Sequence, residues 1–560
     1  MKKSTLQLPN IALMLTWLLL VLMSCSDPMQ DDSTRPDDLQ NLKDDAWVQF
    51  LEQTFYDNSI LVPKEGSIQQ AIREAEPGQA IYIEPWIYKE DVNIDKPNIK
   101  LIGLATNNDK VVLQSSSGRS NSLTLAASDV EVLNIEYTLN NQTQVASRTP
   151  SHARSNTSGC KVTRKQKNSK IAHYEFEVRV GNGPYDVIRI HRVVREQRPF
   201  KPVKTDGAVF MLHGAALSFK SIFLAPGTDD INPETSSAYY LASKDIDVWG
   251  MDFGWTLTPV ETTDFTFMKD WGVDRDIDHT LIGLAAARLI RGLTGQGLDK
   301  MNLLGFSYGV VVGYGAAGRE TQQHKLLRDI KGLVAIDQVM KYNEADNESR
   351  QFVCNTATEA KNSIDNGIYE TASGKTFAMF ANLATTSPDD TSPVIPSLSN
   401  LQAALFVGTN TYLLGNPPAP SWHFVSGAFT NGVPTGLNYT NMDRWFNLMK
   451  SLPPYQPQKT VYEARLCACN EGGDVAFDDH LNKISVPILY IGAGGAFGTL
   501  GDYTATLTSS TDITSHIVTL NANRPFDFGH GELFVANDAD DLVWKKLHSW
   551  LVAHNKYSVW

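Results

Sequence analysis

The sequence predicts an α/β fold: a doubly wound, mostly parallel sheet with a large insertion, preceded by a small all-β module. Two observations predict the larger part. Apolar strand-like runs alternate with helical patterns over residues 171–560, and a glycine-flanked serine in the run Gly305-Phe306-Ser307-Tyr308-Gly309 directly follows one of these strands. A third observation predicts the module, because short β-prone runs recur at near-regular spacing over residues 60–140.

The first 25 residues have the pattern of a signal peptide, with Lys2 and Lys3 ahead of an apolar run at residues 11–23 that is too short to span a bilayer. The run ends in Leu22-Met23-Ser24-Cys25, which resembles the bacterial lipobox. This resemblance implies that Cys25 is acylated and anchors the chain in the cell envelope, at the outer membrane; a plain secretory signal is the alternative.

Residues 26–45 are polar and acidic, which predicts a disordered tether. An acidic stretch behind a lipidated cysteine also resembles the surface-export signal of some Gram-negative lipoproteins. Display on the surface is therefore favoured over the periplasmic face.

Residues 46–140 are predicted to form the all-β module. A short helix at residues 67–72, the turn Pro77-Gly78 and the strands after it resemble the first coils of right-handed parallel β-helices of the pectin-lyase type. The segment is too short for a complete β-helix of this type, which favours a structural or docking role over an independent pectinolytic site. Tyr82, Trp86 and Tyr88 are candidates for stacking on a sugar, although core positions explain them equally well. The polar residues 141–170 are predicted to form a linker.

The larger part carries the chemistry. Glycine on both sides of Ser307 suits a strand-to-helix turn so sharp that side chains two residues away would clash. The run Gly305-Phe306-Ser307-Tyr308-Gly309 resembles the nucleophile elbow of the α/β-hydrolases, which implies that Ser307 is a nucleophile exposed above the sheet.

Two further segments resemble this family in the order that the fold requires. The apolar strand at residues 208–212 runs into His213-Gly214-Ala215-Ala216, which resembles the oxyanion loop and implies N–H donors at Ala215 and Tyr308. His213 itself is expected to support the loop. Near the C-terminus, Gly529-His530-Gly531 lies between a last strand at residues 516–520 and a closing helix at residues 540–552, where the family carries its base. The segment 238–252 also resembles acid-lipase-type members.

The sequence leaves the triad acid open. The strand at residues 486–491 runs into a glycine-rich segment without a carboxylate at the position that is usual in this family. Asp337 ends an apolar strand at residues 332–336 and is well placed to orient an imidazole, so it is preferred over Asp502. Asp512, which is expected to follow a helix, is a weaker candidate.

A cap insertion is expected at about residues 340–485, where it would cover the pocket and set specificity. The candidate lining residues are aromatic: Trp422, Phe424, Tyr439, Trp445 and Phe446. Four cysteines follow Cys25. A disulfide between Cys160 and Cys354 is compatible with the sequence, whereas Cys467 and Cys469 are too close together to bridge easily.

The net charge of −13, from 49 basic and 62 acidic residues, argues against a nucleic-acid partner. No metal and no organic cofactor is implied. The first hypothesis is a cell-envelope serine hydrolase that cleaves carboxylic esters, of small molecules or lipids, through a Ser-His-Asp triad. The second is a carbohydrate esterase whose module holds a glycan near Ser307. The third is a catalytically silent binding lipoprotein that keeps the fold.

Overall fold

The computed structural model describes most of the chain from Ile60 onward. The described residues are 30–31, 60–75, 80–84, 86–97, 99–103, 110–117, 122–126, 131–133, 135–139, 142–145, 161–167, 170–181, 183, 185–224, 235–413, 419–420 and 422–555. The predicted signal peptide with Cys25, nearly all of the predicted tether, and Cys160 lie outside these residues. The chain divides into two compact units, one comprising Met1–Thr34 with Ser158–Trp560 and the other Arg35–Thr157.

The smaller unit consists of short strands that pair in parallel. One stack contains Ile60–Val62, Ala80–Ile83, Lys100–Gly103 and Glu131–Leu133, a second contains Ile87–Lys89, Val111–Gln114 and Ile135–Leu139, and a third contains Val92–Ile94 and Leu123–Leu125. Alternate side chains of these strands, such as Ile81, Ile94 and Leu101, form a common buried core together with Ile72 of the helix Ile68–Glu74. Gln142–Val145 pairs antiparallel with Ile135–Leu139.

The larger unit is built on one central sheet with eight principal strands. In chain order these are β1 (Ile171–Arg179), β2 (Val187–Arg198), β3 (Ala208–Leu212), β4 (Asp247–Asp252), β5 (Met301–Phe306), β6 (Ile330–Ile336), β7 (Ile488–Ala493) and β8 (Ile513–Val518). Their spatial order is β1-β2-β4-β3-β5-β6-β7-β8. The pairs that involve β1 and β2 are antiparallel and all later pairs are parallel. This is the strand order of the α/β-hydrolase fold, in agreement with the predicted fold class.

Two very short strands and one longer edge strand complete the central sheet. Lys201–Pro202 pairs with β2, Lys161–Gln166 pairs antiparallel with β1, and Gln30–Asp31 pairs with Lys161–Gln166. The segment 141–170, predicted to be a linker, therefore contains the strands Gln142–Val145 and Lys161–Gln166. The polar side chains of Lys161–Gln166 concealed the edge strand, because an edge strand needs only one apolar face.

In the described part of the larger unit, nine helices of two or more turns cover the sheet or form the insertion. They are α1 (Ser237–Ser243), α2 (Val273–Leu293), α3 (Tyr308–Glu320), α4 (Asn347–Asp365), α5 (Ser373–Thr386), α6 (Asn400–Thr409), α7 (Met442–Lys450), α8 (Gln458–Cys469) and α9 (Lys545–Asn555). Asp502–Thr506 and Glu532–Val535 form single turns. Buried apolar residues at helical spacing, such as Ile277 and Leu284, hold α2 against the sheet.

The insertion between β6 and β7 contains α4 to α8, at the position predicted for the cap. The hairpin Gly427–Thr430/Val433–Leu437 and a short pairing of Glu370–Thr371 with Gln456–Pro457 lie in the same segment. A disulfide joins Cys354 on α4 to Cys469 on α8. Cys354 thus pairs with Cys469 rather than with Cys160, because α4 and α8 pack side by side, and Cys467 remains a free, buried thiol.

The apolar residues of the larger unit form two extensive clusters, one on each face of the sheet. Every residue of β3, β4 and β5 is buried, as expected for central parallel strands covered by helices. Among the described residues, no helix combines the length and the apolar character needed to cross a bilayer.

Candidate active site

Ser307 lies in the sharp turn between β5 and α3. Its backbone has φ 53° and ψ −124°, a conformation that a residue with a side chain rarely adopts. A Cβ on Gly305 would lie 2.2 Å from the carbonyl oxygen of Gly309, and one on Gly309 would lie 2.4 Å from the carbonyl oxygen of Leu212. Both glycines are therefore required by the close approach of backbone atoms, as the sequence predicts.

His530 and Asp337 lie in direct contact. The Nδ1 atom of His530 is 2.7 Å from Oδ2 of Asp337, and both side chains are buried. Asp337 directly follows β6 with φ 48°, and its other oxygen, Oδ1, accepts a hydrogen bond of 2.9 Å from the backbone N–H of Ala493. A carboxylate at Nδ1 fixes the imidazole tautomer in which Nε2 is the free acceptor.

The other two candidate acids lie elsewhere. Asp502 begins the short turn Asp502–Thr506, and burial raises the pKa of its carboxyl. Asp512 lies at the far end of β8, where its carboxylate is 3.1 Å from Nε2 of His554. The structure therefore brings Asp337, and neither of these, to His530.

Aromatic rings surround the imidazole of His530. The nearest ring is Phe306, stacked at a centroid distance of 4.6 Å, and Trp422, Phe424 and Phe497 follow at 5.2, 5.7 and 5.8 Å. The backbone N–H of His530 also donates a hydrogen bond of 3.0 Å to the carbonyl of His423. The histidine is thus held by the insertion as well as by the sheet.

Glu532 is a site residue that the sequence analysis did not identify. Its buried carboxyl accepts hydrogen bonds from the N–H of Gly529 at 2.6 Å and from the hydroxyl of Thr440 at 3.1 Å. Burial raises the pKa of Glu532 to about 8. The carboxyl of Glu532 fixes the turn that carries His530. The sequence feature that could have identified Glu532 is its position two residues after the histidine.

The loop after β3 passes directly beside Ser307. A Cβ on Gly214 would lie 2.8 Å from Cβ of Ser307, and both Ala215 and Tyr308 line the same cavity as the serine. Tyr308 is the first residue of α3, so its N–H has no acceptor within the helix. The backbone N–H groups of Ala215 and Tyr308 are therefore candidates for oxyanion donors.

His213 supports this loop from below. Its Nδ1 lies 2.9 Å from the carbonyl of Gly214, and its Nε2 accepts a hydrogen bond of 3.4 Å from the N–H of Phe253. Burial lowers the pKa of His213 to about 4, so the imidazole is neutral near pH 7. These contacts fit the expected supporting role.

A buried carboxylate holds the side chain that follows the serine. The hydroxyl of Tyr308 donates a hydrogen bond of 2.8 Å to Oδ2 of Asp276, which also accepts one of 3.2 Å from Nε1 of Trp255. Burial raises the pKa of Asp276 to about 6. Nothing in the local sequence of α2 distinguishes this aspartate from its surface neighbours Asp274 and Asp278, so it was not predicted.

Ser307 and His530 face a cavity of about 830 Å³ under the insertion. Of the aromatic residues predicted to line it, Trp422, Phe424 and Trp445 do so. Phe446 packs into the core instead, and Tyr439 lies against that core with its hydroxyl 3.3 Å from the carbonyl of Phe526. The cavity is large enough for a ligand of drug size.

A second buried polar cluster lies on β1, β2 and β4. Nε2 of His173 is 3.0 Å from Nδ1 of His191, whose Nε2 is 3.0 Å from Oδ2 of Asp252. Glu175 is close enough to form a three-residue group with the two histidines, but it pairs with Lys220 and Arg189. A cation at this position would compete with both of these side chains, so the cluster is better explained as a hydrogen-bonded support of the sheet.

No known protein family matches this sequence, and no curated protein is similar enough to match. Among solved structures, a Sulfolobus solfataricus protein assigned as a lipase is 18% identical with a TM-score of 0.47, covering 69% of this chain and 95% of its own. A monoglyceride lipase from Saccharomyces cerevisiae is 12% identical with a TM-score of 0.34, covering 68% and 95%. A monoacylglycerol lipase from Paleococcus ferrophilus is 12% identical with a TM-score of 0.33, covering 63% and 97%. Similarities this low do not assign an activity.

Proposed function

We propose that this protein is a serine hydrolase that cleaves carboxylic esters through Ser307, His530 and Asp337. The observation that carries the proposal is the 2.7 Å contact between His530 and the Asp337 carboxylate beneath it. His530 lines the same cavity as Ser307, which lies in a strained turn. Backbone strain at a half-buried serine that lines a cavity is typical of a site where the structure maintains an unfavourable conformation for a chemical purpose.

In the proposed reaction, Nε2 of His530 removes the hydroxyl proton of Ser307 while Oγ attacks the acyl carbon of the ester. Asp337 holds the imidazole and stabilises the cation that forms. The N–H groups of Ala215 and Tyr308 donate to the oxyanion, each contributing about 3 kcal/mol to the stability of the transition state. His530 then protonates the leaving alcohol, and water, activated by the same imidazole, releases the acid from Ser307.

The experiment is labelling with a fluorophosphonate probe, which reacts only with an activated serine. The wild-type chain is compared with Ser307→Ala, His530→Ala and Asp337→Asn, and Asp502→Asn is the matched control. We expect labelling to vanish without the serine or histidine, to slow greatly in Asp337→Asn, and to be unchanged in the control. A wild-type chain that is not labelled, or one labelled equally in Ser307→Ala, would overturn the proposal.

We infer further that Cys25 is acylated and that the protein acts in the cell envelope. The lipobox-like sequence supports this location, and so does the Cys354–Cys469 disulfide, because such bonds persist mainly outside the cytoplasm. Incorporation of radiolabelled palmitate into the wild-type chain, and its loss in Cys25→Ser, is the expected result. Equal incorporation in both chains would contradict it.

The alternative of a carbohydrate esterase has less support. It needs aromatic side chains of the smaller unit to stack on a glycan, and Tyr88 is buried with its hydroxyl bonded to the carbonyl of Glu84, whereas Trp86 is exposed. We regard the smaller unit as a short β-helix-like scaffold. Retention of the chain on immobilised polysaccharide, lost in Trp86→Ala, would revive the carbohydrate hypothesis.

A further inference from the structure

One arginine on the inner wall of the cavity has no hydrogen-bond or ion-pair partner among the residues that the structure describes. Arg465 lies on α8 and lines the same cavity as Ser307 and His530. Its side chain is half-buried and makes neither a hydrogen bond nor an ion pair with any other described residue. Its guanidinium carbon lies 5.9 Å from the centre of the Phe352 ring, so part of its environment is apolar.

A charge in such a place is costly unless it is paired. Burial lowers the pKa of Arg465, but a guanidinium still remains charged at any physiological pH. Two fully buried arginines of the chain follow the usual rule: Arg164 pairs with Glu196, and Arg192 pairs with Asp247. Arg465 is an exception, and it faces the space where a substrate would bind.

The surroundings of Arg465 favour a negatively charged group. Tyr342 lines the cavity and interacts electrostatically with Arg465, and its hydroxyl has no hydrogen-bond partner among the described residues. Burial raises the pKa of Tyr342 to about 12, so the hydroxyl stays protonated and can donate. Arg524 is a second cation of the lining, although it donates to the carbonyl of Ala496.

The nearby acidic side chains, one in the described lining and one beneath it, do not neutralise Arg465. Glu359 on α4 is exposed and forms no ion pair with it, and the carboxylate of Asp337, beneath the lining, is engaged by His530 and the N–H of Ala493. The inner wall therefore carries an excess of positive charge although the whole chain has a net charge of −13.

We propose that the substrate is an ester that also carries a carboxylate, which Arg465 binds through its planar fork and Tyr342 through its hydroxyl while the ester carbonyl lies at Ser307. This inference rests on the proposed function and specifies its substrate class. A guanidinium matches the two oxygens of a carboxylate, and a cavity of about 830 Å³ has room for both ends of such a molecule.

The test compares charged esters with neutral ones of equal length. One series contains the 4-nitrophenyl half-esters of succinic to suberic acid and their methyl-capped forms, which place the charge on the acyl side. The other contains acetate esters of hydroxycarboxylic acids and their methyl-capped forms, assayed by proton release, which place it on the alcohol side. The full wild-type chain is expected to prefer at least one charged member over its capped form, by about 10- to 100-fold in kcat/KM.

Arg465→Gln should abolish that preference while its kcat/KM for the capped esters stays within about threefold of the wild type. Arg465→Lys keeps the charge without the fork and should retain part of the preference. The matched control is Arg350→Gln, because Arg350 lies on the neighbouring helix α4 and pairs with Glu471 outside the cavity lining. An equal loss on charged and capped esters in Arg465→Gln, or no preference in the wild type, would overturn the inference.

Failure of the substrate proposal is distinguishable from failure of the proposed function. If the wild-type chain reacts with the fluorophosphonate but shows no preference for charged esters, the proposed hydrolase function stands and the carboxylate site is contradicted. If no ester is cleaved, calorimetry with monomethyl adipate and dimethyl adipate still tests whether Arg465 binds a carboxylate. Binding of the monoester alone to Ser307→Ala, lost in Ser307→Ala/Arg465→Gln, supports the site, and absence of binding overturns it. We also expect adipate, but not dimethyl adipate, to slow fluorophosphonate labelling of the wild type. This comparison tests carboxylate binding without any substitution at Arg465.

Discussion

The strained backbone at Ser307 makes a prediction that separates strain from chemistry. Residues held at positive φ outside the common regions cost about 1–3 kcal/mol each, because the Cβ atom crowds the backbone. Ser307→Ala removes the hydroxyl and keeps the Cβ atom, whereas Ser307→Gly removes both. Neither variant can react with a fluorophosphonate, so a difference in their stability reflects the backbone and not the reactive hydroxyl.

The expected magnitude follows from two opposing terms. Glycine relieves about 1–3 kcal/mol of strain but costs about 0.5–1 kcal/mol through the greater freedom of the unfolded chain. Ser307→Gly should therefore be up to about 2.5 kcal/mol more stable than Ser307→Ala, with a central value of about 1.3 kcal/mol. In a unit of about 400 residues this difference shifts Tm by only about 1–2 °C, so the urea midpoint multiplied by the m-value is the better readout.

The assay is urea unfolding of both variants, followed by tryptophan fluorescence. A second pair of variants provides the control. Ser549 is an exposed residue inside α9 with ordinary helical geometry, where glycine should be about 1 kcal/mol less stable than alanine. Opposite signs in the two pairs are expected. If Ser307→Gly is no more stable than Ser307→Ala while the Ser549 pair behaves normally, the turn is not strained and the reasoning fails.

Three further predictions concern the residues around the site. Asp337→Asn should slow fluorophosphonate labelling by about 10³- to 10⁴-fold, measured as a second-order rate constant, with Asp502→Asn unchanged. Burial raises the pKa of Asp276 to about 6 in the folded chain, against an ordinary value of 3.8. Because the folded state holds this proton more tightly, the wild type should lose about 3 kcal/mol of stability relative to Asp276→Asn as the pH rises from 3.8 to 6. If the urea midpoints of the two chains change in the same way with pH across this interval, the raised pKa is contradicted. Replacing both Cys354 and Cys469 with serine should lower the free energy of unfolding by up to about 5 kcal/mol, because the disulfide links residues 115 positions apart. A wild-type urea midpoint that is the same with and without a reducing agent would contradict this.

Local constraints made part of the site predictable. The glycines at positions 305 and 309 are required by backbone contacts within one turn and with the adjacent strand β3, so the serine could be identified from five consecutive residues. The order of the oxyanion loop, the serine and the histidine along the chain follows from the strand order of the sheet. These features depend little on the rest of the molecule.

Other features depend on how distant segments meet. Asp337 and His530 are 193 residues apart, and the sequence could only prefer Asp337 over Asp502 by its position at the end of a strand. The pairing of Cys354 with Cys469 requires α4 and α8 to lie side by side, which no periodicity reveals. Arg465 could not be distinguished from a surface arginine, because its lack of a partner is a property of the folded cavity.

The Cys354–Cys469 bond turns most of the insertion into a closed covalent ring. The ring contains α5, α6 and α7 and is sealed by the two helices, α4 and α8, that form one wall of the cavity. A protease that cuts one loop of the ring cannot separate the two pieces of the chain, because the disulfide still joins them. A chain built in this way could be cleaved over its own cavity and still keep both edges of the cut attached to the molecule.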